Sequence, residues 1–397
     1  MSEQQPYVLA LNGGSSSIKF TLYRWDEPPE RRLHGKVDRI GGRGTTFTFH
    51  DSESDLRDAR VIGDLDQAAA AAYLIDWLDQ RIGFGAIGAI GHRVVNGGAS
   101  YNEPQRVTDK VVAELRLISS YAPEHLPAQI AIIELCRARV PQLLQVACFD
   151  TAFHRAMPRV AKILPIPRRF QAQGVERYGF HGLSYAYLME ALAREAGAEA
   201  AHGRVILAHL GNGASLAAVR SGTGIDTSMG FTPTAGVPMG TRSGDLDPGL
   251  VWYLARTEQM TPESFQHMVN HESGLLGVSE TSSDLRDLLG REAVDVRAAE
   301  AVALFCYQIK KCIGAFAAAL GGLDTLVFTG GIGENAPVIR ARICADLEFL
   351  GIRLDAAINE NSAPLVSADA SGVEVRVIHT DEEIMIATAV GRLLHHP

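Results

Sequence analysis

A strand-like run ending in a glycine-rich turn occurs twice in this sequence, half a chain apart, and it constrains the fold more than any other feature. Residues 9–18 read LALNGGSSSI and residues 207–216 read LAHLGNGASL. Leu-Ala, a central glycine, and a serine followed by Ile or Leu coincide at an offset of 207 − 9 = 198 in a chain of 397 residues. A repeat at half the length predicts a duplicated architecture, each half offering one strand–turn–strand to a shared cleft. Chain length alone sets two domains as the expectation.

Around the repeat, short β runs alternate with helical stretches, the pattern of an α/β fold. Residues 7–12 and 17–24 read as a hairpin and 45–50 as a third strand, while 86–95 and 144–150 read as buried strands. Helical spacing covers 66–81, with Asp64 as the expected N-cap, then 108–119 and 127–140. In the second half, 204–210 and 214–220 read as strands and 292–320 as a long helix. A strand at 325–329 runs into GGIGEN; a strand at 373–379 and a helix at 383–394 follow. The stretch after Asp150, with Pro158, Pro165 and Pro167, is the expected crossing point between halves.

Several function classes are excluded by composition. Lys plus Arg is 37 against 46 Asp plus Glu, a net charge of −9, so the chain lacks the electrostatic footprint of a nucleic-acid binder. No run of about 18 apolar residues is read in the sequence, so no membrane partner is expected. Residues 1–6 lack the basic and apolar regions of a signal peptide. Cysteines at 136, 148, 306, 312 and 344 are odd in number and form no C-x-x-C, as expected of buried thiols in a cytoplasmic protein.

Three glycine turns after strands (Gly13-Gly14, Gly211-Asn212-Gly213 and Gly330-Gly331) suit phosphate, because glycine lets several N–H groups approach one anion. Neither a P-loop nor a G-x-G-x-x-G motif is present. Lys19 is placed to project toward whatever the first turn binds. Arg93 in an apolar strand and Arg242 in a polar loop need anionic partners, either a ligand or an internal carboxylate. His125 and His181 lie in loops. Asp150 ends a strand, where α/β sheets place ligand-facing groups, and Glu382-Glu383 open the last helix. With no His/Cys cluster in the sequence, any metal is expected to be a hard cation held largely by water and phosphate.

The motifs NGGSSSIKF (12–20), GHRVVNGG (91–98), FDTAFH (149–154), RYGFHG (177–182), HLGNGAS (209–215), MGFTPTAGVPMGTRSGDLDP (229–248), SGLLGVS (273–279), SDLR (283–286), FTGGIGEN (328–335) and TDEE (380–383) resemble the acetate kinase family, in order and across the chain. Propionate kinases share nearly all of them. The resemblance implies the duplicated two-domain fold of sugar kinases, actin and the heat-shock ATPase. Residues 1–150 and 151–382 would form two ribonuclease-H-like domains, with helix 383–397 packing back on the first. It implies reversible phosphoryl transfer between ATP and acetate, giving ADP and acetyl phosphate, with ATP and Mg²⁺ (or Mn²⁺) in the interdomain cleft of a homodimer.

By motif position, Asn12 and Glu382 would hold the metal. Lys19, His209, Leu210, Gly211, Asn212, Gly213, Asp284, Leu285, Arg286, Gly331, Ile332, Gly333, Glu334 and Asn335 would line the nucleotide. Arg93 and His125, with walls from Val95, Phe180 and Pro233, would bind the carboxylic acid. Asp150, His181 and Arg242 would be catalytic. The family role of Asp150 is proton transfer; ordering of Mg²⁺ or its waters is the alternative. Four positions depart from the family pattern: Asn96 replaces a His, Leu183 and Tyr185 replace a Thr and a second His, and Glu124 replaces an apolar residue. A propionate or other short-chain carboxylate kinase remains open beside acetate kinase, as does a non-catalytic nucleotide-binding protein of the same fold. A sugar or glycerol kinase would need a base and a polar pocket, which an arginine among apolar walls does not supply.

Overall fold

Backbone pairing among the described residues produces two sheets, one in each of two compact units. The structure, a computed structural model, describes residues 7–14, 16–26 and 28–395. The reading of residues 1–6 and the last two residues of the expected terminal helix lie outside them. Unit 1 comprises Met1–Phe153 and Asp381–Pro397; unit 2 is His154–Thr380.

Unit 1 holds strands β1 (Tyr7–Gly13), β2 (Ser17–Arg24), β3 (Glu30–Asp38), β4 (Thr45–Asp51), β5 (Leu56–Gly63), β6 (Ile87–Val94), β7 (Gln105–Arg106) and β8 (Leu144–Phe149), in the order β5-β4-β3-β2-β1-β6-β8-β7. Unit 2 holds β9 (Arg204–Leu210), β10 (Ala214–Arg220), β11 (Thr223–Thr227), β12 (Thr325–Thr329) and β13 (Glu374–Val377), in the order β11-β10-β9-β12-β13. The series β3-β2-β1-β6-β8 and β11-β10-β9-β12-β13 share one pairing pattern: antiparallel, antiparallel, parallel, parallel. The repeated segments occupy equivalent hairpins, β1–β2 and β9–β10. The fold is therefore a duplicated α/β architecture.

Strands β3 and β5, absent from the sequence reading, carry charge on their outer face (ERRLHGKVD and LRDARVIG) and extend the first sheet outward. Helix Gln67–Arg81 covers that sheet, burying Ala70, Ala71, Leu74, Ile75 and Leu78 in the core that contains Phe20 and Phe47. Its N-cap is Asp66, whose side chain accepts from the Ala69 N–H; the expected cap, Asp64, instead accepts from Gly44 N at 2.6 Å. The sheet's other face takes the terminal helix Glu382–His395, whose Ile386 and Val390 occupy the space a Cβ on Gly91 would need.

In unit 2, the expected single helix over 292–320 begins at Val296, where Asp295 accepts from the Arg297 and Ala298 N–H groups; a separate helix, Leu285–Arg291, precedes it. Among the described residues Val296–Leu320 is long and apolar enough to cross a membrane, contrary to the reading that no such run exists. Its inner face, including Val302, Phe305, Ile309 and Ile313, is buried, and the helix packs on β9 and β10 as a core helix does. All five cysteines are free of disulfides, and burial pushes the Cys136, Cys148 and Cys344 thiols up to about 12.

Candidate active site

The parallel neighbours β1, β6 and β8 bring Asn12, Arg93 and Asp150 to one edge of the first sheet, at the carboxyl ends of its strands. The terminal helix adds Glu382 and Glu383 from its first turn. Asn12 ties these groups together. Its Nδ2 donates to Glu382 Oε2 and to Glu383 Oε1, both at 2.9 Å, while its Oδ1 accepts from Arg93 Nη1 at 3.0 Å. Arg93 also donates to Asp150, from Nε at 3.0 and 3.1 Å and from Nη2 at 2.6 Å. Asp150 is fully buried, so this pair supplies the internal anion that an arginine in an apolar strand needs. Burial works against the Arg93 charge, but the carboxylates of Asp150 and Glu382 outweigh it and raise its pKa. Burial likewise raises the Glu383 pKa, opposed by Lys19, which is exposed on β2 directly opposite Asn12.

Oxygen donors dominate this edge, and the Asn12 amide oxygen with the Glu382 carboxylate suits a hard cation such as Mg²⁺. Among the described residues no group of three or more His, Cys, Asp or Glu side chains could hold a metal, so water or phosphate would have to complete the shell. Of the other unit 1 candidates, Val95 directly follows the end of β6. The Val95 N–H donates to Gln129 Oε1 at 2.9 Å, and Gln129 Nε2 donates to Gly13 O at 2.9 Å, joining the end of β6 to the first glycine turn. His125 occupies the N-cap position of helix Leu126–Arg139, preceded by half-buried Glu124.

Unit 2 collects the second set. His181 opens helix Gly182–Ala196 in the left-handed conformation, φ 58°, and its ring stacks on that of His209 with centroids 4.3 Å apart. Each ring meets a hydroxyl at Nδ1: Ser215 Oγ lies 2.8 Å from His181, and Ser184 Oγ lies 2.9 Å from His209. Arg242 donates from Nη1 to Pro233 O at 2.8 Å. A Cβ on Gly213 would stand 3.1 Å from Arg242 Nη2 and 3.4 Å from His181 Nε2, so the second glycine turn brings its backbone against both groups. Phe180 is buried and its carbonyl accepts from His154 Nε2 at 2.9 Å.

The expected nucleotide residues divide by orientation. Gly331 and Asn335 are exposed, Ile332 is half-buried, and a Cβ on Gly331 would meet nothing within 4 Å. Asn212 is exposed beside half-buried Gly211. Leu210 and Leu285 face the core, so only their backbones could line a ligand. Glu334 turns back on its own turn: Oε1 accepts from Gly330 N at 2.9 Å and Thr329 Oγ1 at 3.1 Å, and Oε2 meets His379 Nδ1 at 2.7 Å. Asp284 caps helix Leu285–Arg291 and pairs with exposed Arg286.

Sequence reasoning did not select Ser184, Ser215 or Arg340. Arg340 is fully buried and donates to Gly333 O at 2.8 Å, Glu334 O at 3.1 Å and the Asn359 side chain at 2.8 Å, holding the third glycine turn from below. An arginine following the apolar pair Val338-Ile339 was the available signal.

The Acetokinase family model matches residues 7–388. An acetate kinase of Rhodopseudomonas palustris (strain TIE-1) is 45% identical over 97% of this chain and 98% of its own. A propionate kinase of Citrobacter rodentium is 42% identical over 97% and 96%. Among solved structures, Porphyromonas gingivalis acetate kinase superposes with a TM-score of 0.86 at 36% identity, covering 98% of this chain and 100% of that one. A propionate kinase from Francisella tularensis gives 0.90 at 35%, covering 97% and 98%. With residues 7–388 matched by the family model and 97% of its length by relatives more than 40% identical, the chain belongs to the acetokinase family.

Proposed function

We propose that this kinase is an acetate kinase, transferring the γ-phosphoryl group of ATP reversibly to acetate and giving acetyl phosphate and ADP. The observation that carries the reading is Arg93 at the strand edge beside Asn12 and Glu382. A guanidinium has five N–H donors; Asp150 and Asn12 engage three, Glu382 Oε2 stands 3.7 Å from Nη1 outside hydrogen-bond reach, and the remaining two would serve a substrate carboxylate. A carboxylic acid is already ionised at pH 7, so no base is needed to create the nucleophile. Asp150 therefore serves to fix the Arg93 fork rather than to carry a proton.

Phosphoryl transfer needs alignment of the reactants and neutralisation of charge spreading over the phosphoryl oxygens. Arg242, His181 and Lys19 would supply that charge, with the glycine turns at 211–213 and 330–333 cradling the nucleotide. Mg²⁺, or Mn²⁺ in its place, held by Asn12 and Glu382, would offset phosphate charge when bound. Val95, Phe180 and Pro233 would enclose the acyl methyl group.

Acetate is proposed over propionate because Val95, Phe180 and Pro233 would be rigid apolar walls, and crowding by such walls reverses the gain of about 0.8 kcal/mol per buried methylene. A hydroxamate-trap assay of ATP with acetate, propionate, butyrate and glycerol tests both levels. Acetate should give the highest kcat/KM, propionate less, butyrate little and glycerol none. Propionate or butyrate equal to acetate would defeat the acyl assignment; no hydroxamate with any acid would defeat the activity.

The enzyme is further proposed to be a cytoplasmic homodimer. Helix Gly249–Thr257 buries none of its residues and exposes Val251, Trp252 and Tyr253, an apolar surface that a second copy would cover. Sedimentation of Trp252→Glu should show monomers if this face pairs.

A further inference from the structure

Tyr185, one of the positions that depart from the acetate kinase motif pattern, is fully buried in contact with a second buried hydroxyl, that of Ser215. Ser215 in turn lies 2.8 Å from His181 Nδ1. The chain of contacts therefore runs from Tyr185 OH through Ser215 Oγ to the imidazole. A phenol is a stronger hydrogen donor than an alcohol, so Tyr185 donates to Ser215 and the single Ser215 hydrogen points at Nδ1. A nitrogen that accepts there must leave the ring hydrogen on Nε2.

The neighbouring ring is organised the same way. Thr380 Oγ1 donates to Ser184 Oγ at 2.8 Å, which directs the Ser184 hydrogen to His209 Nδ1 at 2.9 Å. Two imidazoles stacked at 4.3 Å, with the Arg242 guanidinium also against Gly213, disfavour a second positive charge. Neutral rings with hydrogen on Nε2 let both Nδ1 atoms accept from their hydroxyls at once.

We propose that Tyr185, acting through Ser215, is a positioning residue that fixes His181 as the neutral tautomer with its hydrogen on Nε2, the nitrogen bordering Gly213. The inference rests on the phosphoryl-transfer reading for its purpose: His181 then offers a hydrogen bond to a phosphoryl oxygen without prior protonation. Its structural content is independent of that reading.

Long-range ¹H–¹⁵N NMR on the full chain labelled with [¹⁵N]histidine reads the tautomer directly, with His181 assigned by signal loss in His181→Gln. The expected result at pH 7.5 is a protonated Nε2 and an unprotonated Nδ1. Ser215→Ala should shift His181 toward a mixture of tautomers, and Tyr185→Phe should do so less strongly. In steady state, Tyr185→Phe should lower kcat about tenfold, the scale of one lost hydrogen bond, with both KM values within twofold. Tyr185→His should recover part of that loss. A His181 hydrogen on Nδ1, or a cationic ring, in the unsubstituted protein overturns the proposal whatever the kinetics. Absence of acyl phosphate formation with every acid would instead defeat the functional reading and leave the tautomer result standing.

Discussion

Gly391 of the terminal helix lies so close to the Trp25 indole that a Cβ built on it would fall 1.8 Å from Cη2 of the ring. Trp25 is itself nearly buried, so the ring has little freedom to retreat. The helix that presents Glu382 and Glu383 is thus seated by the absence of one methyl group. Gly391→Ala should destabilise unit 1 by about 1–3 kcal/mol through overpacking. It should also raise the Mg²⁺ concentration needed for half-maximal rate more than the KM for ATP. Urea unfolding and Mg²⁺ titration of the rate check this; unchanged values in both would mean that the helix seat tolerates the methyl.

Asp150→Asn keeps the size of the side chain and removes the charge that pairs with Arg93. Breaking a buried pair in this way costs about 3–5 kcal/mol at full burial, and the partial exposure of Arg93 sets the expectation near the lower figure. If Asp150 fixes the Arg93 fork, KM for the carboxylic acid should rise and the shape of the pH–rate profile should persist. Loss of one limb of that profile in Asp150→Asn would return proton transfer to Asp150.

The third glycine turn joins a tightly packed glycine to one that faces open space. Gly330 has φ 77°, and a Cβ on it would sit 2.6 Å from Leu210 O, whereas Gly331 has open space around the same position. Gly330→Ala should lose about 1–3 kcal/mol of stability from backbone strain. Gly331→Val should keep the unsubstituted melting temperature while weakening ATP binding at least about tenfold, since its bulk would occupy the ligand's side. Calorimetry showing full ATP affinity in folded Gly331→Val would remove this turn from the nucleotide site.

Acid should destabilise the fold through two buried histidines. Burial lowers His92 and His154 from 6.5 to about 4, so each stays neutral when folded while its unfolded counterpart takes up a proton. The unfolded state then binds more protons between about pH 6.5 and 4, and stability is lost as pH falls through that window. The slope should be roughly 1 kcal/mol per pH unit for each histidine. His92→Gln should reduce it by one histidine's share in urea titrations at stepped pH. An identical slope in the variant would show that His92 is not held neutral.

Much of the architecture was legible because the informative residues act locally. The alternation in SIKFTLYR and the glycines after LALN announced the hairpin, and the second copy announced the duplication. Strands β3 and β5 escaped because their partners, not their own composition, make them strands: β5 is mostly exposed and charged. Asp64 and Asp66 could each cap by sequence, and only the turn geometry selects Asp66. At the site, Arg93 stood out as a cation in an apolar strand. Ser215 gave no comparable signal, since its contacts with Tyr185 and His181 span 30 and 34 residues and depend on how a helix lies over a hairpin. Asn12 and Glu382 meet across 370 residues, a pairing that only the completed sheet edge brings about.

The split of unit 1 into Met1–Phe153 and Asp381–Pro397 has a consequence for the order of events during synthesis. Translation delivers β1, β6 and β8 early, but the helix that covers them on one face emerges only after all of His154–Thr380. Until then the nascent sheet holds an uncovered apolar face around Gly91 and an Arg93–Asp150 pair lacking Glu382. Chaperone demand should therefore concentrate in this waiting period, and ribosome-tethered chains stalled before Glu382 should bind no Mg²⁺ at the strand edge even when unit 2 has folded.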